Sequence, residues 1–179
     1  MLPSWERTHR ETLLDTRFMK VYEDTVRLPN GNVIDDYTVV TLPSGVIIVA
    51  TDTEGRLLSQ YEYKYAVDKT ILNLPSGSVE EGVSVIDTAK KELLEETGYE
   101  ATEVELVSTL YEYPSKADHL IHIVRAKNVK KVADVQHEQT ESISEVVLLT
   151  PETRRDAGVF DTTYAVSAPA LTLPKYLQN

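Results

Sequence analysis

The 179-residue chain contains no cysteine, which excludes a disulfide framework, a thiolate metal site and a cysteine nucleophile. Basic residues are also short: 18 Lys and Arg stand against 29 Asp and Glu, a formal net charge of −11. Non-specific nucleic-acid binding relies on Lys and Arg to neutralise phosphates, so this balance argues against a nucleic-acid partner. If the ligand carries phosphates, metal ions have to bring the missing positive charge. No apolar run is long enough to span a bilayer. The opening Met1-Leu2-Pro3-Ser4-Trp5-Glu6-Arg7 lacks the apolar segment of a signal peptide. A cytoplasmic protein without a membrane partner is the simplest expectation. Hydrophobic residues make up 41% of the chain, enough for one domain with a substantial core.

Residues 77–99 organise the rest. Ser84 is placed to cap a helix, with Asp87 three residues on in a capping-box-like arrangement. Gly98 stands where that helix stops, in the left-handed conformation that glycine reaches cheaply. Ile86, Ala89 and Leu93 recur at i, i+3 and i+7 and predict a buried stripe. Glu92, Glu95 and Glu96 recur at i, i+3 and i+4, within one turn on another face. A solvated acidic face is the ordinary reading of such a run. Two features count against it. No Lys or Arg follows at i+4 to offset the charge, and the acids crowd the helix C-terminus, where the macrodipole disfavours anions. A hard divalent cation offsets both costs, because Mg2+ prefers oxygen ligands.

Upstream, residues 1–18 show only weak periodicity. Met19–Leu28 alternates, Pro29-Asn30-Gly31-Asn32 is a turn signal and Val33–Leu42 is β-branched, which together predict a long hairpin. Val46–Ala50 is continuously apolar, as in a central strand buried on both faces. Arg56–Tyr65 predicts a strand with Tyr61, Tyr63 and Tyr65 on one face and Gln60, Glu62 and Lys64 on the other. At least two of the tyrosines are expected to pack in the core. Downstream, strands are expected over Val104–Tyr113, His119–Lys127 and Ile143–Leu149. A helix is expected from Pro151 to Gly158, and a last one from Asp161 or Thr162 to about Leu171. His119 and His122 lack metal-ligand spacing. Mixed strands with helices after the middle and at the end predict α/β layers.

Gly77, Glu92, Leu93, Glu95, Glu96, Gly98 and Tyr99 match, in register, the Nudix box G-x5-E-x7-R-E-U-x-E-E-x-G-U. The chain therefore resembles the Nudix hydrolases. Val83 replaces the first Glu of the box and Lys91 its Arg. In the family these two residues pair and brace the loop against the helix. Changing both, to Val and to a Lys that can reach solvent, avoids a buried unpaired charge. Gln60-Tyr61-Glu62-Tyr63, Leu74-Pro75-Ser76-Gly77 and Pro114 are similar to segments of the ADP-ribose and nucleoside diphosphate sugar pyrophosphatases, with Glu62 and Asn73 departing from their Arg and Glu.

The resemblance implies an α/β/α sandwich with a mixed sheet. It implies a Nudix domain over residues 45–179, preceded over 1–44 by an antiparallel β arm that forms a homodimer; an ordinary edge hairpin is the plainer alternative. It implies metal binding by Glu92, Glu95, Glu96 and the backbone carbonyl of Ser76, with Mg2+, or alternatively Mn2+, as the cofactor. Glu141 or Glu138, in the loop before the last strand, supplies the catalytic base. Gly77 lets the backbone approach a diphosphate, and Lys64 and Gln60 are candidate substrate contacts. The reaction implied is hydrolysis of ADP-ribose to AMP and ribose 5-phosphate. The alternatives are another nucleoside diphosphate sugar or a non-catalytic nucleotide sensor.

Overall fold

The computed structural model describes residues 2–136 and 142–156. They fall into two compact units, one from the chain up to Pro43 with Tyr111–Leu120, the other from Ser44–Leu110 and from Ile121 onward.

The first unit is built on three strands, β1 (Glu6–Asp15), β2 (Lys20–Arg27) and β3 (Val33–Thr41), paired antiparallel in that order. The β2–β3 hairpin follows the sequence pattern. β1 does not, because nine of its ten residues are exposed. A strand wetted on both faces carries no apolar alternation to read. Its pairing with β2 is interrupted by register shifts between Arg7 and His9 and between Thr12 and Leu14. Arg10 anchors it, donating from Nε and a terminal nitrogen to the two oxygens of buried Asp24 at 2.6 and 2.7 Å. The fork holds the Asp24 carboxyl below its ordinary range by hydrogen bonding and charge, against burial.

The second unit carries β4 (Gly45–Thr51), β5 (Leu57–Lys64), β6 (Lys69–Asn73), β7 (Ser76–Ser78), α1 (Val85–Thr97), β8 (Tyr99–Glu100), β9 (Glu103–Tyr111), β10 (Leu120–Lys127), β11 (Lys130–Lys131), β12 (Val147–Leu149) and α2 (Pro151–Asp156). The main path of the sheet runs β12-β5-β4-β10-β9, with β6 paired to β5 and β7 to β4. β4 and β10 are parallel, and β12 is antiparallel to β5, so the sheet is mixed.

β4 explains its own apolar run. Ile47 and Val49 join one core with Leu57, Leu72, Leu74, Ile121, Ile123 and Leu149. Val46, Ile48 and Ala50 join another with Leu58, Val124, Ala126 and the helix residues Ala89 and Leu93. Alternate side chains thus enter cores on opposite faces, as a doubly covered strand requires. Truncating buried Leu93 to Ala would cost about 2–5 kcal/mol, by lost transfer energy and the cavity left behind.

Two expectations are corrected. Tyr61, Tyr63 and Tyr65 are 43, 42 and 88% exposed, so they do not pack in the core. Residues 143–146 are not strand: Ile143 makes a single bridge to Glu62, and only Val147–Leu149 pairs with β5. Residues 69–73 and 76–78 form strands that the polar interruptions around Asn73 and Ser76 hide in the sequence. α2 is described to Asp156; the helix expected over 161–171 lies outside the described residues.

Candidate active site

The helix forms as its sequence dictates. Ser84 Oγ accepts from the Asp87 amide at 3.0 Å and donates to Asp87 Oδ2 at 2.7 Å. This closes the first turn and places a negative charge where the dipole favours it. Gly98 ends it at φ 73°, its amide donating to the Leu94 carbonyl. Gly98 also accepts, through its carbonyl, the amides of Val132 at 2.8 Å and Ala133 at 3.1 Å. The Gln136 amide reaches the Glu95 carbonyl at 2.8 Å. The orphan carbonyls of the helix end therefore hold residues 132–136 against it.

Ala89 and Leu93 face the core, and the three glutamates face elsewhere in distinct settings. Glu96 is only 5% exposed. Its Oε2 accepts from the Ser76 amide at 3.0 Å and from Gln60 Nε2 at 3.1 Å. Glu92 lies against Gly77: a Cβ there would come within 2.5 Å of Glu92 Cγ and Oε1. A side chain at 77 would push the Glu92 carboxylate or the loop aside. Glu95, on the more open side, pairs with Lys91 one turn earlier at 3.6 Å. The charges of Glu95 and then Glu92 raise the Lys91 ammonium above its ordinary range. The acidic turn thus has a cation on its N-terminal side, four residues before Glu95.

The loop is held to the sheet from both sides. Ser76 pairs with Ile47 and Gly77 with Val46 across β7 and β4, and the Pro75 carbonyl accepts from the Ile48 amide at 2.9 Å. This brings the Ser76 backbone and Gly77 to the helix that carries the glutamates.

Of the residues singled out in the sequence, Gln60, Ser76, Gly77, Glu92 and Glu96 meet in one place. Lys64 is engaged by Glu62 through a short ion pair. Glu62 also accepts from Asn73 Nδ2 at 3.3 Å, and Asn73 Nδ2 reaches Ser76 Oγ at 3.4 Å. The two departures from the pyrophosphatase pattern, Glu62 and Asn73, are thus in contact with each other. Val83 is 43% exposed, and Lys91 is half-exposed beside Glu95, so no charge is stranded in the interior where the usual brace is missing. Glu138 and Glu141 lie outside the described residues. Their described neighbours are placed: Gln136 on the helix end, and Ser142 with its carbonyl 3.0 Å from the Tyr63 amide on β5.

The link from Gln60 to Glu96 and the Glu62–Asn73 contact were missed by sequence reasoning. A signal was present. Gln60 follows Leu57-Leu58 and the small Ser59, Asn73 follows Ile71-Leu72, and both are buried at 1% exposure. Buried polar side chains of this kind need partners. They face each other in register across β5 and β6.

The donor set suits a hard cation: carboxylates and nearby backbone oxygen, with no sulfur. Among the described residues no three acidic or histidine side chains close a metal cage by themselves. Glu96 accepts from two neutral donors, and Glu92 is seated over Gly77.

The family model for the NUDIX domain matches residues 41–162. The model for the nucleoside diphosphate sugar hydrolase N-terminal domain matches residues 5–40. The chain is 27% identical over 173 residues to the ADP-ribose pyrophosphatase of Bacillus subtilis (strain 168), covering 94% of this chain and 93% of that protein. It is equally similar, over the same shares, to the methanol dehydrogenase activator of Bacillus methanolicus. A crystal structure of an ADP compounds hydrolase shares the fold, with a TM-score of 0.79 at 22% identity over 96% of this chain and 93% of that one. No helix among the described residues is long and apolar enough to cross a membrane. The box, the mixed sheet and the matching model together place the chain in the Nudix family of pyrophosphohydrolases.

Proposed function

We propose that the protein hydrolyses the pyrophosphate bond of ADP-ribose, giving AMP and ribose 5-phosphate, with Mg2+ held by Glu92, Glu95, Glu96 and the Ser76 carbonyl. Mn2+ is the alternative ion. The observation that carries this is buried Glu96, fixed by the Ser76 amide and Gln60 beside the glycine-seated Glu92. The relative named ADP-ribose pyrophosphatase covers nearly the whole chain, which supports this substrate.

In this reading a water oxygen bonds to one phosphorus while the bridging P–O bond breaks, and the two monophosphates leave. The chemistry a divalent cation supplies when bound is charge neutralisation on the diphosphate and a more acidic attacking water. Glu141, or Glu138, takes the proton of that water. Gly77 lets the loop backbone approach the diphosphate closely. Lys64, tied to Glu62, reaches a phosphate only by exchanging that partner.

The arm over residues 1–44 serves in this proposal to form a homodimer of a cytoplasmic enzyme. Its exposed Trp5, Leu13, Leu14, Phe18 and Val33 support that reading, since covering apolar side chains favours association. The Glu62–Asn73 contact favours a second substrate reading, another nucleoside diphosphate sugar, because these are the positions that depart from the ADP-ribose pattern.

Incubation with ADP-ribose and Mg2+, followed by chromatography of the products, should show AMP in step with ribose 5-phosphate. Faster release from another nucleoside diphosphate sugar in the same panel moves the substrate assignment. Nucleotide binding without turnover on any member of the panel sinks the catalytic reading in favour of a sensor.

A further inference from the structure

Gln60 was expected among the substrate contacts, and its surroundings give it different work. At 1% exposure it is the last of four consecutive buried residues of β5, and a side chain so enclosed offers a ligand no surface. Its Nε2 reaches Glu96 Oε2 at 3.1 Å, and the Ser76 amide reaches the same oxygen at 3.0 Å. Two donors from two strands thus converge on one carboxylate oxygen.

The other end of the amide shows what this orientation costs. Gln60 Oε1 is buried without a hydrogen-bond partner among the described residues. Reversing the amide would set that oxygen against the carboxylate, acceptor facing acceptor, so Glu96 fixes which way the amide points. An unpaired buried carbonyl oxygen is unfavourable, and an apolar side chain of similar volume would fill the site without it. The amide is explained by the carboxylate it serves. Its neutrality matters equally. Lys or Arg at position 60 would cancel the Glu96 charge and compete with a cation, whereas an amide fixes the carboxylate and leaves its charge in place.

We infer that Gln60 is a positioning residue, which acts through Glu96 to fix that carboxylate for a divalent cation and does not touch substrate. The inference rests on the metal assignment proposed above. Removing such an outer partner weakens metal binding by about 10- to 100-fold.

The test is Mn2+ affinity of the substrate-free protein, read from the paramagnetic signal of free Mn2+, for wild type, Gln60→Met, Glu96→Gln and the double variant. Thermal melts without metal establish that each is folded; if Gln60→Met is not, Gln60→Leu takes its place. The expected result is about a 10- to 100-fold loss in Gln60→Met, with the KM for ADP-ribose unchanged at saturating metal. In the double variant the affinity should equal that of Glu96→Gln alone, because the amide then has no carboxylate to orient. Unchanged Mn2+ affinity in Gln60→Met, or a raised KM at saturating metal, overturns the inference and returns Gln60 to the substrate. Glu96→Gln binding Mn2+ as wild type does would instead overturn the metal assignment itself.

Discussion

Two acidic side chains are buried among the described residues, Asp24 in the N-terminal unit and Glu96 in the second, at 3 and 5% exposure. They are held in opposite ways. Asp24 meets the guanidinium of Arg10, a bidentate fork that cancels its charge. Glu96 accepts from the amide of Gln60 and the backbone amide of Ser76, both neutral donors. Burial alone therefore does not say how an acid is held. The donors differ: a guanidinium brings its own charge to the carboxylate, and amides bring none.

The comparison is broken most decisively at Glu96. Glu96→Gln keeps the shape and removes the charge, and should lower turnover on the order of 10²- to 10³-fold, the scale for losing one preorganised electrostatic contact. Its melting temperature without metal should stay near that of wild type or rise, because one of three crowded like charges is gone. Asp24→Asn should do the reverse, leaving Mn2+ affinity intact and lowering stability. A Glu96→Gln protein with full activity, or an Asp24→Asn protein that loses metal, removes the distinction. Next in size is Gly77→Ala. The added Cβ lands on the Glu92 side chain, so the carboxylate or the loop must shift, and displacement of that order costs roughly 10²-fold in rate. Gly98→Ala is the control at the other end of the helix. There φ is 73° and the new Cβ would strike the Ala133 backbone. A stability loss of about 1–3 kcal/mol is expected from that strained conformation, read by urea denaturation.

The Asp24 prediction has a pH signature. The folded carboxyl titrates below its ordinary value of 3.8, through the Arg10 hydrogen bond and charge acting against burial. A depressed group stabilises the fold fully above its unfolded value and loses that contribution as pH falls through the folded one. Wild type and Asp24→Asn should therefore differ most in melting temperature above pH 5 and converge toward pH 2. The gap at neutral pH should be about 1–3 kcal/mol, typical of hydrogen bonds to a charged group. A gap that is constant down to acid would show that the fork contributes by packing alone.

How much of this was legible follows from where the information sits. Helix α1 was readable to its caps because Ser84, Asp87 and Gly98 act through neighbours within four residues in sequence. The apolar run of β4 was readable because both of its faces are covered. β1 was not, since nearly all its side chains face solvent, and an exposed strand leaves no period behind. The acidic turn could be recognised as a cluster, but what holds Glu96 could not. Gln60 and Ser76 lie 36 and 20 residues away from it, and only the pairing of β5, β6 and β7 around β4 brings them together. The tyrosines of β5 failed for the opposite reason: their alternation was real, but alternation does not say which face is covered.

The finest adjustment of the site lies at Lys91. It stands where the box resembles an Arg-bearing pattern, and it sits 3.6 Å from Glu95 with its ammonium raised by Glu95 and Glu92. The pair is half-exposed, so its contribution to stability is small, within about 0.5 kcal/mol for an exposed i,i+4 pair. Its effect on a cation should run the other way. A positive charge beside two carboxylates proposed as metal ligands opposes an incoming divalent ion, and removing it makes the turn more negative. Lys91→Met should therefore tighten Mn2+ binding by a few-fold, about 1 kcal/mol at most for a screened surface charge. The gain should shrink as salt rises, because the interaction is exposed to counterions. Looser Mn2+ binding in Lys91→Met would mean that Lys91 braces the helix toward the ion, and that the missing Glu–Arg pair of the box has been replaced by a cation that still works.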